Sequence, residues 1–312
     1  MSERAFFAAT VVFLGATLVG TVVDEKPPRP AAFRAGFRVL EGDFHAHTRF
    51  SDGLLSPFDL VIQARRRGLD VLGITEHNMT FPGQMGRWFT RAIGGPTVIV
   101  GEEITTNRYH LIAVGLQHRV HAGDPLRTTI DAVHAQGGVA IAAHPVEAFH
   151  ERFETAIDLL DGAEVMHPLV FGSGGRQSIG GSARAGWTWE SMRDFYVRAR
   201  ADGHELTAIG SSDYHFFSPL GVTRTLIFAQ DDDEASVVEA LRRHRTVVHD
   251  LNGQAYGDAA LIAALEAEPY EPRAVDYNYG GSGVIDRVTR ILGWLALLAL
   301  VLCRRPARSA EA

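Results

Sequence analysis

Two histidines one residue apart, His45 and His47 in GDFHAHTRFSDG, close an extended pattern. Residues i and i+2 of an extended chain face the same side, so both imidazoles can address one metal ion. Asp52 follows in a Ser-Asp-Gly turn, and the layout then recurs. His77 comes after LGIT in LGITEHN, and Glu102 and Glu103 close TVIVGEE. His110 opens a strand pattern in RYHLIAVG, His144 follows VAIAA, and Asp213 and His215 follow LTAIG. His167, at the end of EVMHP, is a further candidate for the same place. A lone histidine is more often a surface or core residue than a ligand. So many placed independently at strand ends are better explained by a shared site.

The chain has 14 histidines and one cysteine, Cys303. That excludes an internal disulfide and a cysteine-based metal site. The candidate ligands are imidazoles and carboxylates, a set that suits zinc, manganese or iron. There are more of them than one ion takes, so two or three ions with a bridging carboxylate such as Glu103 is the natural count. Closely spaced ions generate hydroxide near neutral pH and clamp a phosphoryl group.

The elements that must position these residues alternate. Strands are expected at 38–44, 70–75, 97–103, 109–114, 139–143, 163–166, 206–210 and 223–229. Helices are expected at 57–67, 125–136, 151–160, 187–201 and 234–243. Ser56 before Pro57 has N-cap and N1 character, and Gly68 ends that helix. Alternation argues for parallel strands with crossover helices, and the length favours a closed or distorted barrel. One segment breaks the rhythm. LVFGSGGRQSIGGSARAGW, Leu169 to Trp187, is rich in glycine and serine, follows His167 and reads as a lid carrying Arg176 and Arg184.

Of 312 residues, 46% are apolar and 21% charged, which are globular values. The net charge of −7 argues against an extensive nucleic-acid surface. Residues 5–23 form a charge-free apolar run that suits an uncleaved membrane anchor, with a signal peptide or a buried helix as alternatives. A second run, ILGWLALLALVLC, suits a short transmembrane or interfacial helix over 287–304. The basic tail after it suggests a cytoplasmic C-terminus and hence a middle domain outside the cytoplasm. The expected organisation is an N-terminal anchor or signal peptide (1–26), a linker (27–37), a catalytic domain (38–258), a second linker (259–286), the C-terminal helix (287–304) and a tail (305–312).

The ordered set HAH, SDG, EHN, GEE, His110, AHP and SDYH closely resembles the polymerase and histidinol phosphatase (PHP) family, over roughly Val39 to Val248. The resemblance implies an α/β fold, a distorted seven-stranded (β/α) barrel with a trinuclear centre, here flanked by hydrophobic helices. Carried over by position, it implies one ion on His45, His47, Glu103 and Asp213. A second would use Glu103, His110 and His144, and a third Asp52, His77 and His215. Glu103 rather than Glu102 matches the family's Gly-x-Glu. Glu76, where many relatives have Asp, would orient an imidazole. Glu103, Asp213 and His215 would act in catalysis. The implied activity is phosphoester hydrolysis, with a bridging hydroxide attacking phosphorus in line. The substrate would be a phosphorylated small molecule or nucleotide. Arg176, Arg184, Arg224 and His167 are the candidates for binding it. Hydrolysis of an amide or lactone, or a membrane-tethered sensory domain without activity, are the alternatives.

Overall fold

The computed structural model describes residues 3–24, 30–171, 187–215, 219–272 and 284–302. The chain divides into two compact units, Pro30–Tyr277 and the pair of segments Met1–Arg29 and Asn278–Ala312. Along the chain run α1 (Glu3–Asp24), β1 (Ala32–Arg34), β2 (Phe37–Asp43), α2 (Pro57–Arg66), β3 (Val71–His77), α3 (Phe81–Ile93), β4 (Thr97–Thr105) and β5 (His110–Val114). Next come α4 (Leu126–His134), β6 (Val139–Ala142), α5 (Glu147–Glu154), β7 (Gly162–Met166), α6 (Trp189–Ala201) and β8 (Thr207–Gly210). The order closes with β9 (Thr225–Ala229), α7 (Glu234–Arg242), β10 (Thr246–His249), β11 (Ala255–Gly257), α8 (Ala259–Ala267) and α9 (Val284–Leu302).

One sheet carries the larger unit, in the order β11-β10-β9-β2-β3-β4-β5-β6-β7-β8, with β1 paired to β2. It is a barrel of the expected α/β kind, with two departures. The described strands number eleven rather than seven. Nor are they all parallel, because β5 runs against both β4 and β6, and β9 against both β2 and β10. The β4–β5 connection is a tight hairpin in which Thr105 pairs with His110. Reversal of β5 therefore brings its first residue to the end of the barrel where the parallel strands finish. That explains why His110 opens a strand while the other ligand candidates end theirs.

The path bends round until β8 meets β9 and β10, and threonine hydroxyls close this seam. Thr225 Oγ1 accepts the Gly210 N–H and donates to the Gly210 carbonyl, each at 2.9 Å, and Thr246 Oγ1 donates to the Ala208 carbonyl at 2.9 Å. Just beyond the strand ends, Ala46 and Tyr214 form a parallel bridge, with His47 N–H donating to the Tyr214 carbonyl at 2.9 Å. This bridge sets the His-x-His and Asp-x-His segments side by side.

The α2 helix forms where the sequence places it, because Ser56 and Asp59 make a reciprocal capping box and Pro57 starts the first turn. By contrast, α3 is absent from the sequence expectation, and its first turns hold Pro82, Gly83 and Gly86, all poor helix formers. Its glycines serve close packing instead: a Cβ on Gly86 would come within 2.4 Å of Ile74 Cδ1. The expected linker after 258 contains α8, capped by Asp258, whose Leu261 and Leu265 are buried against Val39, Phe228 and Val247.

Both apolar ends are helical, and α1 packs on α9, with Gly20 facing Thr289 and Gly293 facing Ala16. Among the described residues no helix is long and apolar enough to cross a membrane. The expected membrane spans therefore find no support among the described residues.

The seam gives a test. Thr225→Val keeps the shape but leaves the buried Gly210 N–H unpaired. The expected cost is about 1–3 kcal/mol, read as a lower urea midpoint at unchanged m-value.

Candidate metal centre

All nine expected ligands meet at one end of the barrel. Their donor atoms form four overlapping groups: His47, Asp52, His77 and His215; His45, His144 and Asp213; His45, His47 and Glu103; and Glu103, His110 and His144. One of the three expected sets, Glu103, His110 and His144, is present as written, and a second, Asp52, His77 and His215, is present with His47 added. The set His45, His47, Glu103 and Asp213 is divided between two groups.

Glu103 stands at the centre. Its Oε1 is 2.8 Å from His110 Nδ1, 3.1 Å from His144 Nε2 and 3.6 Å from His45 Nε2. Its Oε2 is 2.7 Å from His77 Nδ1 and 3.6 Å from His47 Nε2. Register explains the choice between the two glutamates. Glu103 pairs with His77 and shares its face, while Glu102 pairs with Glu76 and accepts a hydrogen bond from Val120 N–H elsewhere. Asp213 Oδ1 lies 3.2 Å from His45 Nε2 and 3.3 Å from His47 Nε2. Asp52 reaches His77 Nε2 at 3.3 Å and His215 Nε2 at 3.2 Å.

The site is dry at one end and open at the other. His45, His47 and Glu103 are buried, whereas the Asp52 side chain is 53% exposed. Burial pushes the Glu103 and Asp213 carboxyls up, but the surrounding imidazoles, His45 foremost, outweigh it and hold both well below the usual range. Burial likewise disfavours charge on His77 and His215. Hydrogen bonds to Asp52, helped by Glu103 and Asp213, nevertheless raise them to about 10 and about 9. His47 goes the other way, to about 4, because burial dominates. Buried His45 Nε2, His47 Nδ1, His47 Nε2 and His144 Nδ1 have no hydrogen-bond partner. Orphaned buried ring nitrogens facing carboxylates are what a cation would satisfy, so the residues fit two or three divalent ions.

A supporting layer escaped the sequence reading. Glu164, buried on β7, holds His45 Nδ1 at 3.0 Å, accepts the His144 N–H and is bonded by the Ser211 hydroxyl. Asp43, buried at the end of β2, accepts the N–H groups of His45, Ser212 and Gly221 and so ties the two ligand segments together. The available signal for Glu164 was a carboxylate inside an otherwise apolar strand, GAEVM; Asp43 ends a strand that already carries Arg38 and Glu41 and gave no such signal. His144 and Asp213 adopt positive φ, +26° and +42°, as strained residues at functional sites do.

Three expectations change. Glu76 orients no imidazole; it accepts the Thr48 N–H and the Ser51 hydroxyl and so holds the turn after His47. Arg224 is spent on Glu41 at 2.5 Å and on the carbonyls of Gly221 and Arg67, which removes it as a phosphate ligand. His167 is buried and braces Asp213: its Nδ1 accepts the Leu169 N–H, which leaves Nε2–H to donate to Asp213 Oδ2 at 3.1 Å. Arg176 and Arg184, with most of the expected lid, lie outside the described residues.

Uncharacterized protein MJ1587 of Methanocaldococcus jannaschii is 30% identical over 141 residues, 41% of this chain and 82% of that protein. The chain belongs to the same family as that protein. A two-domain protein from Bacteroides vulgatus, containing a predicted PHP-like metal-dependent phosphoesterase, superposes with TM-score 0.55 at 22% identity. The match covers 74% of this chain and 69% of that one. The fold is the PHP fold. A protein of Bifidobacterium adolescentis described as a candidate metal-dependent phosphoesterase matches at 22% identity and TM-score 0.44, over 68% of this chain and 98% of its own. No family model matches.

Two measurements follow from the geometry. Ligation needs neutral imidazole, and His77 and His215 are protonated at pH 7 before metal enters. Zinc or manganese binding should therefore release at least about one proton per chain, and affinity should rise with pH. Calorimetry in buffers of differing ionisation enthalpy reads the release. Glu164→Gln, which removes the anion behind His45, should weaken metal binding about ten- to a hundredfold in chelator competition.

Proposed function

We propose that this protein is a metal-dependent phosphoesterase acting on a phosphorylated small molecule or nucleotide. The observation that carries the reading is the convergence of nine imidazole and carboxylate donors at one end of the barrel, with Glu103 within reach of five imidazoles.

Closely spaced divalent ions, when bound, supply Lewis acidity and a nucleophile available at neutral pH. The chain's own residues would do the rest. Glu103 gathers the imidazoles of both ends around its two oxygens, at 2.7–3.6 Å. Asp213, fixed by His167 from behind, presents its other oxygen to His45 and His47. Asp52, His77 and His215 form the half-exposed end, so the ester enters there. Charge favours a phosphoester over a neutral amide or lactone. Two or three divalent ions against the carboxylates of Asp52, Glu103 and Asp213 leave a net charge of about +1 to +3, which attracts an anion.

Metal-loaded protein should turn over p-nitrophenyl phosphate or bis-p-nitrophenyl phosphate, and the preferred ester separates monoesterase from diesterase. Asp213→Ala and His45→Ala should each lower kcat/KM by at least about a hundredfold together with bound metal. His134→Ala should change neither, since His134 pairs with Asp161 at 2.8 Å away from the centre. Absence of turnover on both esters at full metal loading would refute the proposal.

A further inference from the structure

The mouth of the open end is aromatic. Phe50 lies between His47 and Asp52, and Phe81 follows His77 at the first position of α3. Their rings meet edge to face, with centroids 5.8 Å apart and planes at 89°. Even so, Phe50 stays 44% exposed and Phe81 55%, and Leu54 in the same turn is 62% exposed. Single exposed apolar residues are ordinary, but a group of them at the entrance of a site is informative.

The turn that carries Phe50 is held from several sides. Glu76 takes the Thr48 N–H and the Ser51 hydroxyl, Gly53 N–H donates to the Thr48 carbonyl, and Leu54 N–H donates to the His215 carbonyl. Gly53 is needed there, because a Cβ would come within 2.4 Å of the His47 carbonyl oxygen. Phe50 is therefore held two residues from Asp52, and Phe81, four residues after His77, meets its ring. On the other flank Phe149 is buried and stacked on His110, which makes it part of the wall rather than a landing surface.

We infer that Phe50 and Phe81 bind a planar aromatic ring in the leaving group of the phosphoester, as a nucleobase would provide. This rests on the phosphoesterase reading and specifies its substrate class. A flat ring stacked on one phenyl can turn its own edge to the face of the other, so both favoured aromatic geometries are made at once. A bare sugar or alkyl group gains neither.

Adenosine 5′-monophosphate and ribose 5-phosphate share the same ester and differ in the base, so their ratio isolates the ring. The metal-loaded full chain is expected to prefer the nucleotide about ten- to a hundredfold in kcat/KM, the range that base–aromatic stacking supplies. Adenosine is expected to inhibit p-nitrophenyl phosphate turnover competitively. In the Phe50→Ala, Phe81→Ala double variant the ratio falls towards one and adenosine inhibition is lost, while metal content equal to wild type shows that the centre is assembled. Phe50→Leu, which keeps bulk without a ring, moves both readouts in the same direction. A wild-type ratio near one, or a preference that survives in the double variant, overturns the inference while leaving the phosphoesterase reading intact. No turnover of any phosphate ester overturns both.

Discussion

A carboxylate with no access to water is the constraint around which this domain is built. Glu103 sits on the middle strand pairing of the barrel, and burial alone would drive it to its neutral form. It stays charged because five imidazoles converge on its two oxygens. Burying a lone charge costs several kcal/mol, and burying a cluster is tolerable only when every member has a partner. The arrangement therefore behaves as a unit. Glu103 needs the histidines, His45 needs Glu164 behind it, and Glu164 is held in turn by Ser211 and the His144 backbone.

The barrel supplies the geometry this unit requires. Parallel strands alone would bring their final residues to one end, and the reversed β5 adds its first residue to the same place. Ala46 and Tyr214 then lock two ligand segments together by a backbone bridge, with Asp43 accepting N–H groups from both sides. Backbone strain at His144 and Asp213 is the local cost of aiming those side chains inward. Threonine hydroxyls close the seam where the backbone ladder is interrupted, so closure comes with little loss of hydrogen bonding.

Much of this was legible in the sequence because metal ligation uses few residue types and barrel strands end where their ligands begin. HAH, EHN, AHP and SDYH each announce both a strand end and a donor. What was not legible depends on long-range contact. Nothing in GVTRTLIF says that Arg224 will meet Glu41 across the sheet, and a cation in a candidate site looks the same whether it awaits a phosphate or a buried carboxylate. The α3 helix was hidden by Pro82, Gly83 and Gly86, since turn-forming residues also permit close helix–strand packing, and only the position of Ile74 decides between the two. Antiparallel β5 was hidden because a hairpin of this length leaves no helix to mark its reversal. Glu164 shows the opposite case, in which an isolated carboxylate inside an apolar strand was visible and its meaning was not.

The gradient of burial across the centre orders its parts. His45, His47 and Glu103 lie in the dry floor, where electrostatic interactions are strongest and reorganisation is least. Asp52, His77 and His215 face the opening, where an incoming anion can exchange solvent for protein contacts. A charged substrate approaching from this side meets the half-exposed carboxylate of Asp52 first and the buried floor last. The turn of residues 48–55 links the two levels, because Glu76 fastens its base while Leu54 bonds to the backbone of His215. A substitution in that turn would therefore act on the open subsite and on the rim together, even though it removes no ligand from the floor.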